Sequence, residues 1–209
     1  MHRDLKILFF DIGGVLLTNG WGHESRMKAA EKFNLNYEEM STLHNFIFNV
    51  YETGSINLDD YLDTVIFNHP RGFTRHDFKE FMYSQSVELP GMLAWLKEWK
   101  SQCGFRIISI NNEGRELNQY RIEKFKLHEV FDGFVSSCEV GIRKPDPKIF
   151  QMALGFAQAK PSQCVYFDDR LLIVNTAAQI GFKAYHHTDF ETTRKVLEAL
   201  KEQNFTPRG

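Results

Sequence analysis

Four short segments of the chain carry residue types that could act on a negatively charged ligand. In the first, Asp11-Ile-Gly-Gly14, an acid comes directly after an apolar run, and two glycines leave little side-chain bulk near its carboxylate. A carboxylate exposed in this way can attack an electrophile or bind a metal ion. The same pattern is typical of an Asp that caps a helix or shapes a turn. This segment alone leaves both interpretations open.

The second and third segments offer hydrogen-bond donors and a cation. Asn111 and Asn112 precede a Glu-Gly pair, and their amides could donate to an anion, although a helix N-cap explains them equally well. Lys144 lies in Gly141-Ile-Arg-Lys-Pro-Asp-Pro147, where a glycine and two prolines restrict the backbone. A lysine is normally a solvated surface charge. On so stiff a loop, however, it can hold its ammonium at a fixed distance from an anion.

The fourth segment contains two adjacent acids, Asp168 and Asp169, directly after another apolar run. Two neighbouring carboxylates repel each other unless a cation lies between them. Hard oxygen ligands of this kind suit Mg²⁺. Taken alone, an Asp-Asp pair more often marks only the start of a helix.

Each of the four segments follows a stretch that is typical of a strand. The predicted strands cover residues 6–10, 105–110, 134–137, 164–167 and 183–186. Helical patterns lie at 92–100, 115–125, 146–157, 173–180 and 191–203. This alternation predicts an α/β fold, a Rossmann-like parallel sheet with helices on both faces. Because ligands of such sheets bind outside the carboxyl ends of the strands, the four segments should converge on one crevice.

A second unit interrupts this pattern after the first strand. Residues 23–81 read as several amphipathic helices, with polar breaks at 34–36, 53–55 and 69–72 and no strand pattern among them. We therefore expect an inserted α-helical domain of residues 18–82. The α/β core would then consist of residues 1–17 and 83–209.

Composition excludes several classes of protein. The chain has 209 residues, a net charge of −2 and 43% hydrophobic residues, which suits a core domain with a smaller insertion. Its basic residues are scattered, which argues against a nucleic-acid partner. The first apolar run is too short for a signal peptide or a membrane span, and the three widely spaced cysteines are typical of a reducing cytosol. We therefore expect a cytoplasmic protein with no membrane partner; the sequence indicates no oligomeric state.

In this order, the four segments resemble the motifs of the haloacid dehalogenase-like (HAD) superfamily over essentially the whole chain. The motifs read FFDIGGVL, ISINNEGREL, GIRKPDPKIF and VYFDDRLLIVNTAAQIG. The helical insertion resembles the small α-helical cap of that family. Within the superfamily, Tyr51-Glu-Thr-Gly-Ser-Ile-Asn57 and the FDDR…N pattern are similar to the bacterial α-glucose-1-phosphatase-like group.

The resemblance implies a Mg²⁺-dependent phosphohydrolase that cleaves a small phosphorylated metabolite, with a sugar phosphate as one option. Asp11 would attack phosphorus in line and form an aspartyl-phosphate. Lys144 would neutralise the negative charge on the nucleophile and the phosphoryl group. The implied Mg²⁺ ligands, directly or through water, are Asp11, the backbone carbonyl of Gly13, Asp168 and Asp169.

The amide pair would bind the substrate. Asn111 stands where the family usually has Ser or Thr, and Ser109 would take that place if the loop is shifted by two residues. Asn112 would add a second donor. Asn175 would either orient the loop of the fourth motif or only pack its helix.

Gly13 departs from the pattern of the family's phosphatases, which usually have there a second Asp that acts as general acid and then base. Losing a general acid typically slows a reaction by about 10²–10⁴-fold. A leaving group that needs little protonation would suffer less, and a sugar-1-phosphate leaves as a relatively acidic anomeric hydroxyl. The glucose-1-phosphatase-like group also has glycine here, so Gly13 favours such substrates.

Two other functions compete with this one. A 2-haloacid dehalogenase shares the fold and an Asp nucleophile, but it uses no metal and typically has an aromatic residue at the place of Gly13. A non-catalytic protein that binds a phosphorylated ligand is compatible with Gly13 and Asn111. Trp21 and His23 could stack on a sugar or supply the missing proton. Packing and surface roles explain them better, so we leave both out of the catalytic set.

Overall fold

The computed structural model describes Leu5 and residues 7–205, with side chains up to residue 203. Its five strands form one sheet in the order β3-β2-β1-β4-β5, and every pairing is parallel. The strands are β1 Ile7–Phe10, β2 Arg106–Asn111, β3 Gly133–Ser136, β4 Cys164–Asp168 and β5 Lys183–His186. The predicted parallel α/β fold is therefore confirmed. Lys6, the first residue of the first predicted strand, lies outside the described residues.

Helices connect the strands of this sheet. The core helices are α5 Met92–Ser101, α6 Arg115–Lys124, α7 Ser137–Val140, α8 Pro147–Ala157, α9 Leu171–Ile180 and α10 Phe190–Phe205. Short 3₁₀ turns lie at Leu127–Glu129 and Pro161–Gln163. Neither turn was predicted, nor was the four-residue α7, because segments this short have no periodic pattern. None of the described helices combines the length and the apolar character needed to cross a bilayer.

Both faces of the sheet are covered, which explains why β1 reads as a continuous apolar run. Alternate residues of a strand point to opposite faces. Leu8 and Phe10 accordingly join a cluster with Leu96 of α5, whereas Phe9 joins a second cluster with Phe150 of α8. All four residues of β1 are buried. A strand without an exposed face is what a sheet between two helical layers requires.

Four helices between β1 and α5 form the inserted unit, which we call the cap: α1 His23–Lys32, α2 Tyr37–Glu52, α3 Leu58–Val65 and α4 Arg75–Ser84. The three predicted breaks all fall between these helices. Asn57 and Thr74 each cap the next helix in a capping box. The cap has its own apolar cluster, which also includes Leu117 of the core helix α6.

The two connections between cap and core lie side by side. Leu17 and Glu88 form an antiparallel bridge, and the Thr18 N–H donates to the Val87 carbonyl at 2.8 Å. Helix α4 ends at Ser84, two residues beyond the predicted boundary at 82. The division into residues 18–82 and 1–17 with 83–209 remains a prediction.

Candidate active site

Three carboxylates lie together at the carboxyl ends of the neighbouring strands β1 and β4. Asp11 follows β1, and Asp168 is the last residue of β4, the neighbour of β1. The Asp11 N–H donates to the Phe167 carbonyl at 2.9 Å, which fixes Asp11 beside β4. One oxygen from each of Asp11, Asp168 and Asp169 lies within 4.8 Å of the other two. Asp11 is more than 150 residues away from Asp168 and Asp169 in the sequence, and the three acids nevertheless form one cluster.

Lys144 is the cation of this cluster, although it is only 2% exposed. Its Nζ lies 3.0 Å from Asp11 Oδ1 and 2.8 Å from Asp168 Oδ2. Nζ also donates to the Tyr166 hydroxyl at 3.1 Å, and that hydroxyl donates to the same Asp168 oxygen. A buried ammonium is tolerated when it is paired and hydrogen-bonded in this way. Tyr166 therefore belongs to the site, although the sequence assigned it only to a strand.

The cluster carries more negative than positive charge when all its groups are ionised. Burial raises the pKa of Asp11 to about 6; Lys144 opposes the rise, and Asp168 and Asp169 add to it. Burial raises the pKa of Asp169 as well, and repulsion by Asp168 is the next cause. A divalent cation among the carboxylates would relieve this repulsion.

The donor atoms fit Mg²⁺, which prefers carboxylate and carbonyl oxygens. Asp169 Oδ1 is buried and has no hydrogen-bond partner among the described residues. Gly14 makes room for this carboxylate: a Cβ at Gly14 would lie 2.1 Å from Asp169 Oδ2, and its φ of +74° is left-handed. Two separate constraints thus require glycine at position 14.

Asn19 and Arg121 occupy the space beside Gly13. A Cβ built on Gly13 would lie 3.0 Å from Asn19 Oδ1 and 3.9 Å from Arg121 Nη1. An amide releases no proton at neutral pH, and a guanidinium stays charged. These neighbours of Gly13 do not replace the missing general acid.

Asn112 lines the cavity above the cluster, but its amide is also bound to the Lys144 backbone. Its Oδ1 accepts from the Lys144 N–H at 2.8 Å, and its Nδ2 donates to the Lys144 carbonyl at 2.9 Å. Asn112 thus holds the loop that carries the ammonium. Its predicted contact with substrate remains a prediction.

The structure does not place Asn111 among the residues that line the cavity, and its predicted contact with substrate remains a prediction. Asn111 is 3% exposed and belongs to β2, from which its amide donates to Asn118 Oδ1 at 3.0 Å and accepts from Ser136 Oγ at 2.9 Å. Ser109, the alternative, is fully buried and donates to Asn111 at 3.3 Å. Asn175 is exposed on α9, and its side chain makes no hydrogen bond with another described residue, so its predicted orienting role has no contact to support it.

A cavity of about 230 Å³ separates the cluster from the cap. On the core side it is lined by Asp11, Gly13, Asn112, Glu113, Arg121, Arg143, Lys144, Arg170 and Ile173. On the cap side it is lined by Asn19, Trp21, Gly22, His23, Arg26, His44, Phe48 and Glu52. Trp21 and His23 thus face the crevice, as considered from the sequence. Trp21 is buried and donates to the Tyr61 hydroxyl at 2.8 Å, whereas the exposed His23 contacts the Tyr37 hydroxyl at 2.7 Å.

The sequence analysis missed most of the charged residues in this cavity. His44 and Glu52 lie on the buried face of α2 together with Met40 and Tyr51. Polar residues that interrupt the apolar stripe of a helix are a signal that could have identified both. Arg26 offers no such signal, because arginines are common on exposed helix faces.

Known proteins resemble the chain over most of its length. A model of the family described as haloacid dehalogenase-like hydrolase matches residues 5–181. The chain is 27% identical over 199 residues to flavin mononucleotide hydrolase 1 of Arabidopsis thaliana, covering 95% of this chain and 78% of that protein. It is 26% identical over 202 residues to glyceraldehyde 3-phosphate phosphatase of Pyrococcus furiosus, covering 87% and 80%. A longer relative from Mus musculus, acyl-CoA dehydrogenase family member 10, is matched over 70 residues, only 6% of its length.

A solved structure matches the fold. It is a HAD family enzyme of Bacteroides thetaiotaomicron in complex with magnesium and inorganic phosphate. The match has a TM-score of 0.77 and 21% identity and covers 90% of this chain and 98% of that one. The five-stranded core and the inserted helices are therefore a known arrangement.

Gly14→Ala should reduce the stabilisation of the protein by Mg²⁺, because the new methyl group would displace the Asp169 carboxylate. We expect the free energy of unfolding without metal to fall by about 1–2 kcal/mol from the left-handed backbone, and Mg²⁺ affinity to fall about tenfold or more. Thermal unfolding with and without Mg²⁺ measures both. Gly72→Ala is the control, since nothing lies within 4 Å of a Cβ there. An unchanged Mg²⁺ response in Gly14→Ala would contradict the assignment of Asp169.

Mg²⁺ binding should weaken as the pH falls through about 6. Burial raises the pKa of Asp11 from 3.8 to about 6, and Mg²⁺ requires ionised carboxylates, so protons and metal compete. Between these two values Asp11 is more fully protonated in the metal-free folded protein than in the unfolded chain, so the contribution of Asp11 to stability should fall as the pH rises across that window. Unfolding temperatures of the wild-type and Asp11→Asn proteins at about pH 5 and about pH 7.5, each with and without Mg²⁺, test both signs. An equal Mg²⁺ effect at the two pH values would count against this account.

Proposed function

Because the chain belongs to the haloacid dehalogenase-like hydrolases, we propose that it is a Mg²⁺-dependent phosphatase that cleaves a small phosphorylated metabolite. The observation that carries the proposal is the buried cluster in which the Lys144 ammonium contacts both Asp11 and Asp168 beside the unpartnered Asp169 oxygen. The phosphatase relative and the magnesium–phosphate complex described above support it. The acid pair favours this reaction over haloacid dehalogenation, which needs no metal.

Asp11 is the proposed nucleophile. Its Oδ1 accepts from the Ile12 N–H at 2.8 Å and lies 3.0 Å from Lys144 Nζ, so Oδ2 is the oxygen available for attack. Attack of Oδ2 on phosphorus forms an aspartyl-phosphate while the bond to the leaving-group oxygen breaks, and that oxygen takes up a proton from water. Water then attacks the same phosphorus, which releases phosphate and restores Asp11.

The remaining groups hold charge and position. Asp11, Asp168, Asp169 and the Gly13 carbonyl would hold Mg²⁺, which when bound neutralises charge on the phosphoryl oxygens. The Lys144 ammonium adds a second fixed positive charge on the Asp11 side. In a buried site such charges stabilise a developing anion more strongly than in water.

The leaving group must be one that departs without a strong acid beside it. The immediate neighbours of Gly13 are an amide and a guanidinium, and neither donates a proton at neutral pH. We therefore infer that the enzyme prefers leaving groups more acidic than ordinary alcohols, such as the anomeric hydroxyl of a sugar-1-phosphate. This preference rests on Gly13, and the relatives' names do not address it.

Asp11→Asn should lower phosphatase activity by roughly 10³-fold or more, because an amide oxygen cannot form the aspartyl-phosphate. The measurement is Mg²⁺-dependent hydrolysis of p-nitrophenyl phosphate, together with acid-quench trapping of protein-bound phosphate. Asp63→Asn, at an exposed ion pair of the cap, is the matched control. Full activity in Asp11→Asn would remove it as the nucleophile.

Gly13→Asp should raise the hydrolysis of alkyl phosphates more than that of aryl phosphates, because only the former need a general acid. The new side chain would lie too close to Asn19 Oδ1. We therefore expect the larger gain in alkyl phosphate hydrolysis, up to about tenfold, in the double variant that combines Gly13→Asp with Asn19→Ala. Asn19→Ala alone is the control. In the unmodified enzyme, alkyl phosphates that react as fast as sugar-1-phosphates would refute the leaving-group inference.

A further inference from the structure

Of the five Arg and Lys side chains that line the cavity, Arg26 is the one that is buried and has no carboxylate partner among the described residues. Three cations have a carboxylate partner, at 2.7, 2.8 and 3.0 Å: Arg121 with Glu113, Arg143 with Glu52, and Lys144 with Asp11. Arg170 is exposed and therefore solvated. Arg26 is only 9% exposed, and none of the described acids forms an ion pair with it. The cap side of the cavity thus contains a buried cation without a counter-ion.

Arg26 is also poorly satisfied as a hydrogen-bond donor. Its Nη1 donates to the Trp21 carbonyl at 2.8 Å, and its Nε is buried without a partner among the described residues. A guanidinium has five N–H donors in a planar fork that matches carboxylate and phosphate oxygens. Burying such a group without an anion is costly unless a ligand supplies the anion.

His44 adds a second donor next to this cation. Trp21 Nε1 donates to the Tyr61 hydroxyl at 2.8 Å, and His44 Nδ1 lies 2.8 Å from the same oxygen. Tyr61 is fully buried, so its own hydroxyl proton needs an acceptor, which His44 Nδ1 provides. The neutral imidazole then carries its proton on Nε2 and can donate it into the cavity that His44 lines. The lowered pKa of His44, about 3 because of burial and the charges of Arg26 and Arg143, agrees with a neutral ring.

We propose that Arg26 and His44 form a subsite for a second anionic group of the substrate, a carboxylate or a second phosphate. The inference rests on the proposed phosphatase function: Asp11 and Lys144 take the phosphoryl group on the core side, and the subsite takes the other end of the molecule on the cap side. The cavity has a volume of about 230 Å³, which is smaller than the roughly 300–1,000 Å³ of typical ligand pockets and favours a short molecule. The substrate class is therefore a small phosphorylated acid or a small bisphosphate.

The test compares substrates that share a primary alkoxide leaving group and differ at the far end. 3-Phosphoglycerate carries a carboxylate, propane-1,3-diol bisphosphate a second phosphate, and glycerol 3-phosphate neither. With Mg²⁺ present, we expect kcat/KM for at least one doubly anionic substrate to exceed that for glycerol 3-phosphate by roughly ten- to hundredfold. The better of the two identifies the anion. Arg26→Gln should remove this preference, so kcat/KM for the doubly anionic substrate should fall by roughly ten- to hundredfold more than kcat/KM for glycerol 3-phosphate.

Lys28→Gln is the matched control, since Lys28 lies on the same helix, is exposed and does not line the cavity. Arg26→Met separates a binding role from a structural one, because removing an uncompensated buried charge should leave the unfolding temperature unchanged or raised. A marked fall in that temperature, or an equal loss for all three substrates in Arg26→Gln, would overturn the subsite. A wild-type enzyme without preference would overturn it as well.

Failure of the proposed function gives a different result. If the protein is not a phosphatase, the wild-type protein does not hydrolyse p-nitrophenyl phosphate faster than the Asp11→Asn protein does. The subsite is then tested by calorimetric binding of 3-phosphoglycerate, propane-1,3-diol bisphosphate and glycerol 3-phosphate to the Asp11→Asn protein with and without Arg26→Gln. Tighter binding of a doubly anionic ligand that depends on Arg26 supports the subsite even without catalysis. Arg26-independent binding, or no binding of any of them, excludes it.

Discussion

The arrangement of the site depends on one buried ammonium. Lys144 Nζ lies between Asp11 and Asp168, which end two neighbouring strands. Without this cation no positive charge would contact the buried carboxylates of Asp11 and Asp168, at a cost of several kcal/mol per charge. Three features keep the ammonium in place: the stiff loop before α8, the Asn112 amide that binds this loop, and the Tyr166 hydroxyl. The surplus of negative charge that remains is what makes the cluster suitable for a divalent cation.

The cap is packed firmly against this core, and polar contacts mark the interface. Ser137 Oγ donates to the Glu52 carbonyl at 2.7 Å, and Glu116 accepts from the Leu58 N–H at 3.0 Å. Arg143, next to Lys144 in the sequence, pairs with Glu52 at 2.8 Å. At Gly114 the Tyr51 ring approaches so closely that a Cβ would lie 2.0 Å from it. Residues of the core and of the cap therefore line one cavity together.

The fold and the reactive cluster could be predicted from sequence because both have local signals. A continuous apolar run indicates a strand covered on both faces, and an acid at its end indicates a ligand site. Asp11, Asp168 and Asp169 each carried such a signal, Lys144 was indicated by the glycine and prolines of its loop, and the fold brought the four together. The sequence did not show that Asn111 is the last residue of β2, because the end of a strand depends on its pairing with the neighbouring strand. Arg26 gave no signal, since its burial arises only when four helices pack together.

The bridge between Leu17 and Glu88 has a consequence for how such a protein could diversify. The chain leaves the core and returns to it at adjacent points, so the two ends of the cap lie side by side and are bridged to each other. Inserted segments are tolerated best where the ends of the insertion are close together. The helices between these points could be replaced by others of different length without moving Asp11 or β1. A single catalytic core could in this way acquire a new substrate by exchange of one modular insert.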